Sequence, residues 1–397
     1  MIYSSSEAGD RQLTPHVCIL GGGFGGLYCA LALQHYQRRS PHPLQVTLVE
    51  PRDRFTFTPL LYELLTEELK SWHIAPTYRE LLASTTIRHC QDWVDAIDLN
   101  QRRIVLRWGD ELTYDYLVVA LGSQIRPPTV PGSQTAIPFA TLEDAQVLSK
   151  RLTELENQPT GVPIDVVVAG AGPSGVELAC KLADRLGHRG RIVLLDRRSV
   201  ILRSHPAPIQ RAAARALTKR HIEVYTDAPI KAVQANQVVY HHHGQTHERR
   251  ADLVIWTVGT VPRPWLGTNG PKQTPLAQYP VRPTLQLLDY DNVLVLGDMA
   301  EIPTHHQERV PMTAQSAFQA APTAAHNLWA LTTHQPLRPF DYHHLGDMLT
   351  LGQDEAVVFG FGLCLTGRLG SVARRWAYWL RLPTWRHRWR VVRSWGR

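Results

Sequence analysis

The chain has 397 residues, more than a single hydrophobic core usually organises, so two domains are expected; 44% hydrophobic and 19% charged residues fit a folded globular protein. Five cysteines (Cys18, Cys29, Cys90, Cys180 and Cys364) lie far apart without a C-x-x-C pair, which speaks against a disulfide framework or a zinc-ligand pattern and points to a reducing compartment. The net charge of +7 is local: residues 356–397 hold nine Arg, no Lys and no acid, so this stretch carries +9 and the remainder 7 − 9 = −2.

The first ten residues include Glu7 and Asp10 and no apolar stretch, so neither a secretory nor an Arg-rich transit signal is expected. A short apolar run, Val17-Cys18-Ile19-Leu20, enters Gly21-Gly22-Gly23-Phe24-Gly25-Gly26, then a helical stretch over residues 27–35, then a strand at 46–49 ending at Glu50. A buried-type strand follows at 116–120, and Pro127, Pro128 and Pro131 with Gly132 make a linker. The same grammar then returns: a strand at 166–169, Gly170-Ala171-Gly172-Pro173-Ser174-Gly175, a helix to about 186 and a strand at 192–195 ending at Asp196. Further strands are expected at 253–256 and 293–296, with Pro262 and Pro264 between them as a second linker. Two β-α-β units, each with a G-x-G-x-x-G and an acidic strand end, predict an α/β fold of two Rossmann-like dinucleotide-binding domains. The expected boundaries are 1–137 with 262–345 for a flavin domain, 138–261 for a nicotinamide domain and 346–397 for a C-terminal region; the second domain is inserted in the first.

A pyrophosphate must approach the backbone closely, and glycines permit both that approach and tight packing of the following helix, whose N-terminus faces the phosphate. Gly21, Gly23 and Gly26 supply one such turn, with Glu50 placed to accept from ribose hydroxyls; Gly170, Gly172 and Gly175 supply the other. Two dinucleotides on one chain imply a tightly held FAD and an exchangeable NADH or NADPH. FAD is assigned to the first unit because Gly297-Asp298, after the last strand, offers a carboxylate to a ribityl chain. In the second unit Asp196 suits the 2′-hydroxyl of NADH, whereas Arg197 and Arg198 suit the 2′-phosphate of NADPH, and both cofactors stay open. Glu177, two residues past Gly175, either complements the helix N-terminus or works near the nicotinamide, moving protons.

The segments Gly21–Gly26, Phe57-Thr58-Pro59-Leu60-Leu61-Tyr62, Tyr114–Ala120, Gly170–Ala179, Trp256-Thr257-Val258-Gly259 and Gly297-Asp298 resemble the type II NAD(P)H:quinone oxidoreductase family along nearly the whole chain. That resemblance implies cofactor-binding roles for Phe24, Gly25, Pro59, Leu60, Ala120, Gly122, Pro173, Ser174, Gly259 and Ala314. Ala314-Gln315-Ser316-Ala317-Phe318-Gln319 is similar to the family's quinone-site stretch, which implies that Gln315 and Gln319 line a quinone; spaced i and i+4, they share a helix face. Within the family, residues 178–186, 344–352 and 380–384 look most like the cyanobacterial and plastid demethylphylloquinone reductase branch, whose substrate is a prenylated naphthoquinone of phylloquinone synthesis. Met299 and Ala320-Ala321 depart from the commoner family residues, so respiratory reduction of plastoquinone or menaquinone is kept as an alternative, as is a non-catalytic NAD(P)H sensor. Sulfide:quinone and disulfide reductases of similar architecture need paired reactive cysteines, which the spacing here does not offer.

In the C-terminal stretch Trp376, Tyr378, Trp379, Trp385, Trp389 and Trp395 interleave with Arg374, Arg375, Arg381, Arg386, Arg388, Arg390 and Arg393. Amphipathic rings beside Arg describe a segment lying on an anionic lipid surface, and this is preferred over nucleic-acid binding because a quinone enzyme must reach the bilayer. The expectation is a peripheral protein on the cytoplasmic face of a thylakoid or plasma membrane without a transmembrane helix, its oligomeric state left open and a homodimer included.

Overall fold

The computed structural model describes residues 14–38, 43–126, 129–159, 161–267, 269–303 and 309–395; Pro127, Pro128 and the side chain of Trp395 lie outside the described residues. Two compact units emerge. One comprises Met1–Asp53, Leu82–Ser123 and Pro262–Tyr342, the other Arg54–Leu81, Gln124–Val261 and His343–Arg397. Crossings at 123/124 and 261/262 fall near the proline-marked linkers. Residues 54–81 and His343–Arg397 cluster with the unit that holds the second glycine turn.

Among the described residues of the first unit, a five-stranded parallel sheet runs in the order Val293–Val295, Tyr116–Val119, His16–Leu20, Gln45–Val49, Arg88–Cys90. Its central strand is buried on both faces, with Val17, Cys18, Ile19 and Leu20 all inaccessible, which is why the sequence reads there as an unbroken apolar run and not as an alternation. The helix Phe24–Gln37 covers the sheet through Leu27, Cys29, Ala30 and Leu33. Against it packs the helix Ala314–Thr333, opened by a capping box between Thr313 and Ser316. Ala317, Ala320, Ala321, Ala324 and Ala325 line its buried face, small enough for close approach, while Tyr28 meets Phe318 edge-on with ring centroids 4.8 Å apart.

The second unit repeats the plan. Its described residues form a parallel sheet in the order Glu223–Tyr225, Gly190–Leu195, Ile164–Ala169, Leu253–Trp256, Ile137–Pro138. The helix Pro173–Leu186 begins with Pro173 at its first turn, where the missing amide proton leaves no helical bond unmade. Asp347–Thr350, Ala356–Gly360 and Leu363–Thr366 make a small antiparallel sheet, from which the helices Gly367–Trp379 and Trp385–Trp395 follow. Every strand read from the sequence is present with ends shifted by no more than two residues.

Candidate active site

The two glycine turns are built alike. Gly21 and Gly170 sit at φ +95° and +103°, a left-handed region open to glycine. A Cβ on Gly26 would overlap the carbonyl oxygen of Gly21, and one on Gly175 that of Gly170, so these glycines let helix and strand close up. At Gly23 and Gly172 a Cβ would meet nothing within 4 Å; there the missing side chain leaves room in front of a helix N-terminus. That cradle fits a pyrophosphate, which needs backbone amides and no side chain in the way.

The acids at the strand ends also match. Glu50 is buried and accepts from the Gly22 amide at 2.8 Å and the Arg52 amide at 3.1 Å. Asp196 accepts from the Ala171 amide at 2.6 Å and the Arg198 amide at 2.8 Å. Each carboxylate is thus pinned at the lip of its turn, where a ribose would follow a pyrophosphate. Arg197 and Arg198 are exposed beside Asp196.

Other expected residues lie in the first unit. The Ala120 carbonyl faces the Cα of Gly21, and Gly122 is left-handed with its carbonyl accepting from the Arg263 amide at 3.0 Å. Phe24 and Gly25 open the helix, and Gly25 packs on Leu296 and Ala120. Gly297 is left-handed against Ala317, and Asp298 accepts from the Ser123 hydroxyl at 2.6 Å; burial pushes its carboxyl up while that bond opposes. Ala314, Gln315 and Gln319 lie in the first turns of the helix Ala314–Thr333, with Gln315 accepting from the Tyr342 hydroxyl at 3.1 Å. Pro59 and Leu60, expected to bind cofactor, lie in the second unit, where the Pro59 carbonyl accepts from Arg374 at 2.7 Å and Leu60 is buried. Ser174 stands in the second unit's helix start within hydrogen-bonding reach of Tyr62, and Gly259 is left-handed, its carbonyl accepting from the Arg126 amide at 3.0 Å.

Around Glu177 the structure assembles a buried cluster that local sequence did not announce. Glu177 accepts from the Thr350 amide at 2.9 Å and from the Tyr62 hydroxyl, and a guanidinium nitrogen of Arg374 lies 3.7 Å away. Arg374 donates more closely to Glu63 and to Pro59, and its plane stacks over Tyr378 at 4.9 Å. Burial pushes Glu177 up to about 7 despite Arg374. Burial pushes Glu63 the same way, but Arg374 and Lys181 outweigh it and hold Glu63 below its ordinary value. One guanidinium between two buried carboxylates therefore splits them, one kept charged and one poised near neutrality, the pattern expected of a proton-handling pair. One turn on, buried Lys181 pairs with Glu68. Of these groups only Glu177 was read from the sequence as a proton handler; Pro59 and Tyr62 stood in a segment singled out by resemblance, and Glu63, an acid inside the same apolar turn, carried a signal that could have found it. Arg374 and Tyr378, read with the lipid-facing Arg and aromatics, point into the protein.

The buried cysteines supply no reactive thiolate. Cys18, Cys29, Cys90, Cys180 and Cys364 are all unpaired, and burial pushes the Cys18, Cys29 and Cys180 thiols up to about 12, far from the reactive thiolate range.

The pyridine nucleotide-disulphide oxidoreductase profile matches residues 15–321, which takes in both glycine turns. The chain belongs to that family. This oxidoreductase is 41% identical over 386 residues to a demethylphylloquinone reductase of Synechocystis, covering 96% of this chain and 95% of the relative. It is 37% identical to an alternative NAD(P)H-ubiquinone oxidoreductase of Arabidopsis thaliana, covering 96% and 80%. In three dimensions it matches NDH2 of Plasmodium falciparum, solved in complex with NADH, with a TM-score of 0.84 at 18% identity over 96% of this chain and 97% of that one. The oxidoreductase is thus an FAD- and NAD(P)H-dependent enzyme of the two-dinucleotide flavoprotein fold, as its glycine turns imply.

Proposed function

We propose that the protein reduces a membrane-embedded prenylated quinone with NAD(P)H, and that the quinone is demethylphylloquinone or a related demethylnaphthoquinone of phylloquinone biosynthesis. The carrying observation is the near full-length likeness to the Synechocystis demethylphylloquinone reductase, 41% identity over 96% of this chain and 95% of that one. The reaction consumes NAD(P)H, one proton and the quinone and yields NAD(P)⁺ and the quinol. When bound, FAD supplies the two-electron relay. The chain's own part is to hold FAD on Gly21, Gly23, Gly26, Glu50 and Asp298, and NAD(P)H on Gly170, Gly172, Gly175 and Asp196. It orients the quinone through Gln315 and Gln319. Glu177, poised near neutrality, stores the proton the reaction needs.

Access to a lipid substrate is supported by an inverted pattern at the C-terminus. Along the helix Gly367–Trp379 the inward positions are Gly370, Arg374 and Tyr378, while Leu369, Val372 and Trp376 point out, Leu369 being 73% exposed. Leu380, Trp385 and Trp389, with Phe361 in the preceding hairpin turn and Leu363 in the strand after it, extend this apolar surface, and Arg368, Arg386 and Arg393 stand exposed beside it. Apolar side chains turned outward with flanking cations suit an interfacial surface that lies on an anionic bilayer. No described helix is long and apolar enough to cross one.

A second reading, respiratory reduction of plastoquinone or menaquinone, draws on the Arabidopsis relative, whose name gives a benzoquinone, ubiquinone, as acceptor. Steady-state assays of the purified FAD protein with NADH and NADPH against demethylnaphthoquinone, plastoquinone and menaquinone analogues decide. The proposal expects the highest kcat/KM with the demethylnaphthoquinone; plastoquinone preference would favour the alternative, and no quinone turnover would favour a sensor.

A further inference from the structure

The helix Gly367–Trp379 faces outward with Leu369, Val372 and Trp376, yet its opposite face delivers one charged side chain into the interior, Arg374, only 4% exposed. A buried guanidinium is costly unless each nitrogen is met, and removal of one partner from such a group leaves an uncompensated charge. Its partners are Glu63, Glu177 and the Pro59 carbonyl, with the Tyr378 ring against its face. One oxygen of Glu63 and Nε of Arg374 are buried without a hydrogen-bond partner, and both residues line a cavity with Glu68, His73 and Thr350.

Resting on the reading of Glu177 as a proton store, we propose that Arg374 is a positioning residue that ties the C-terminal helix to Glu177 and sets which carboxyl, Glu63 or Glu177, holds the shared proton. Every element packed around Glu177 contributes to that balance. The turn Thr58–Leu64 brings Tyr62 as a hydrogen-bond donor and Glu63 as a like charge. The strand Asp347–Thr350 brings the Thr350 amide, which favours the ionised form. From its own helix come Ser174, which bonds Tyr62, the neutral Cys180, and Lys181, paired to Glu68. Tyr378 and Arg374 come from the C-terminal helix, and Arg374 supplies the positive charge closest to both carboxyls. Because Arg374 sits on the helix that also presents the apolar surface, any displacement of that helix alters the proton affinity of Glu177.

The test uses the full-length FAD enzyme and its Arg374→Gln, Arg374→Lys, Glu63→Gln and Glu177→Gln variants. Infrared difference spectra taken against pH report the protonated carboxyl of Glu177, identified by its disappearance in Glu177→Gln. Loss of the cation in Arg374→Gln should raise its midpoint by a pH unit or more, a tenfold gain in proton affinity. Loss of the competing carboxylate in Glu63→Gln should lower it, and Arg374→Lys should restore it part-way. The pH profile of kcat should move with the spectroscopic midpoint. If Arg374→Gln fails to fold, Glu63→Gln alone carries the sign test. An unmoved midpoint in the variants that fold would overturn the proposal. If the midpoints shift as expected but Glu177→Gln turns over like the native enzyme, the proton-store reading falls while the positioning role of Arg374 stands.

Discussion

At the scale of single residues, cofactor choice comes down to what surrounds the 2′ position of a ribose. Asp196 is fixed by two backbone amides and cannot turn away from an incoming phosphate, while Arg197 and Arg198 are exposed and able to reach one. Replacing both Arg by Ala should raise the apparent KM for NADPH about tenfold, roughly 1.4 kcal/mol, and leave NADH nearly unchanged. Equal losses with both cofactors would show that the pair does not read the phosphate. Glu177 makes a second prediction, in stability. With its carboxyl raised to about 7, the folded protein holds that proton more tightly than the unfolded chain. The contribution is therefore complete below the ordinary value of 4.5 and lost as pH rises through about 7. Glu63 runs oppositely, stabilising above its ordinary value and losing that contribution in acid. The stability difference between native protein and Glu177→Gln, followed by thermal unfolding midpoint against pH, should change across about pH 4.5–7 and be flat above it. Thiols have no part in this chemistry: with Cys90 and Cys364 replaced by Ser and the buried Cys180 by Ala, stopped-flow flavin reduction by NAD(P)H should keep its rate.

At the scale of elements, the four glycines divide by function. Gly26 and Gly175 have no room for a Cβ because backbone lies against them, whereas Gly23 and Gly172 have no protein atom nearby. Gly26→Ala should therefore destabilise the protein itself, by about 1–3 kcal/mol through overpacking. Gly23→Ala should leave the unfolding midpoint of FAD-free protein almost unchanged yet lose FAD on gel filtration, because the methyl group occupies pyrophosphate space. Equal retention of FAD by Gly23→Ala and native protein would count against the cradle. The C-terminal helix is likewise not an appendage. Cutting the chain near Gly367 removes Arg374, Tyr378 and Leu382 from buried positions and strands Glu63 and Glu177 without their cation, so such a truncation reports on folding and not on lipid binding.

At the scale of the whole molecule, lipid attachment is better probed from outside. Leu369, Trp376, Leu380, Trp385 and Trp389 are exposed and can be replaced by Gln or Ser without opening the buried cluster. The five-fold variant should retain FAD and reduce ferricyanide or short-chain quinones, while losing most binding to anionic liposomes and most activity toward long prenylated quinones in lipid. Salt should release the native protein only in part, since each basic residue near the surface adds about 1 kcal/mol before screening and the aromatic anchors do not respond to ions. Undiminished liposome binding by the variant would mean that this surface meets another partner.

What the sequence determined by itself is whatever repeats over short range. A parallel strand buried on both faces must be continuously apolar, and a phosphate turn needs glycine at set spacing before a helix, so the central strands of both sheets, both turns and the acids Glu50 and Asp196 were legible with nearly correct limits, whereas the short strands Arg88–Cys90, Glu223–Tyr225 and Ile137–Pro138 were not. The 3.6-residue period puts Gln315 and Gln319 on one helix face, but it was the family resemblance of the stretch around them that singled them out. Tertiary structure alone decided the partners of Glu177. Tyr62, Glu63 and Arg374 come from segments more than a hundred residues away from it, and no local pattern distinguishes an Arg that turns inward from the Arg residues around it that face solvent. Burial and charge pairing are properties of what the fold brings together. Only once the helix Gly367–Trp379 packs with one face inward does Arg374 become an interior cation and Leu369 an exposed one-sided apolar contact.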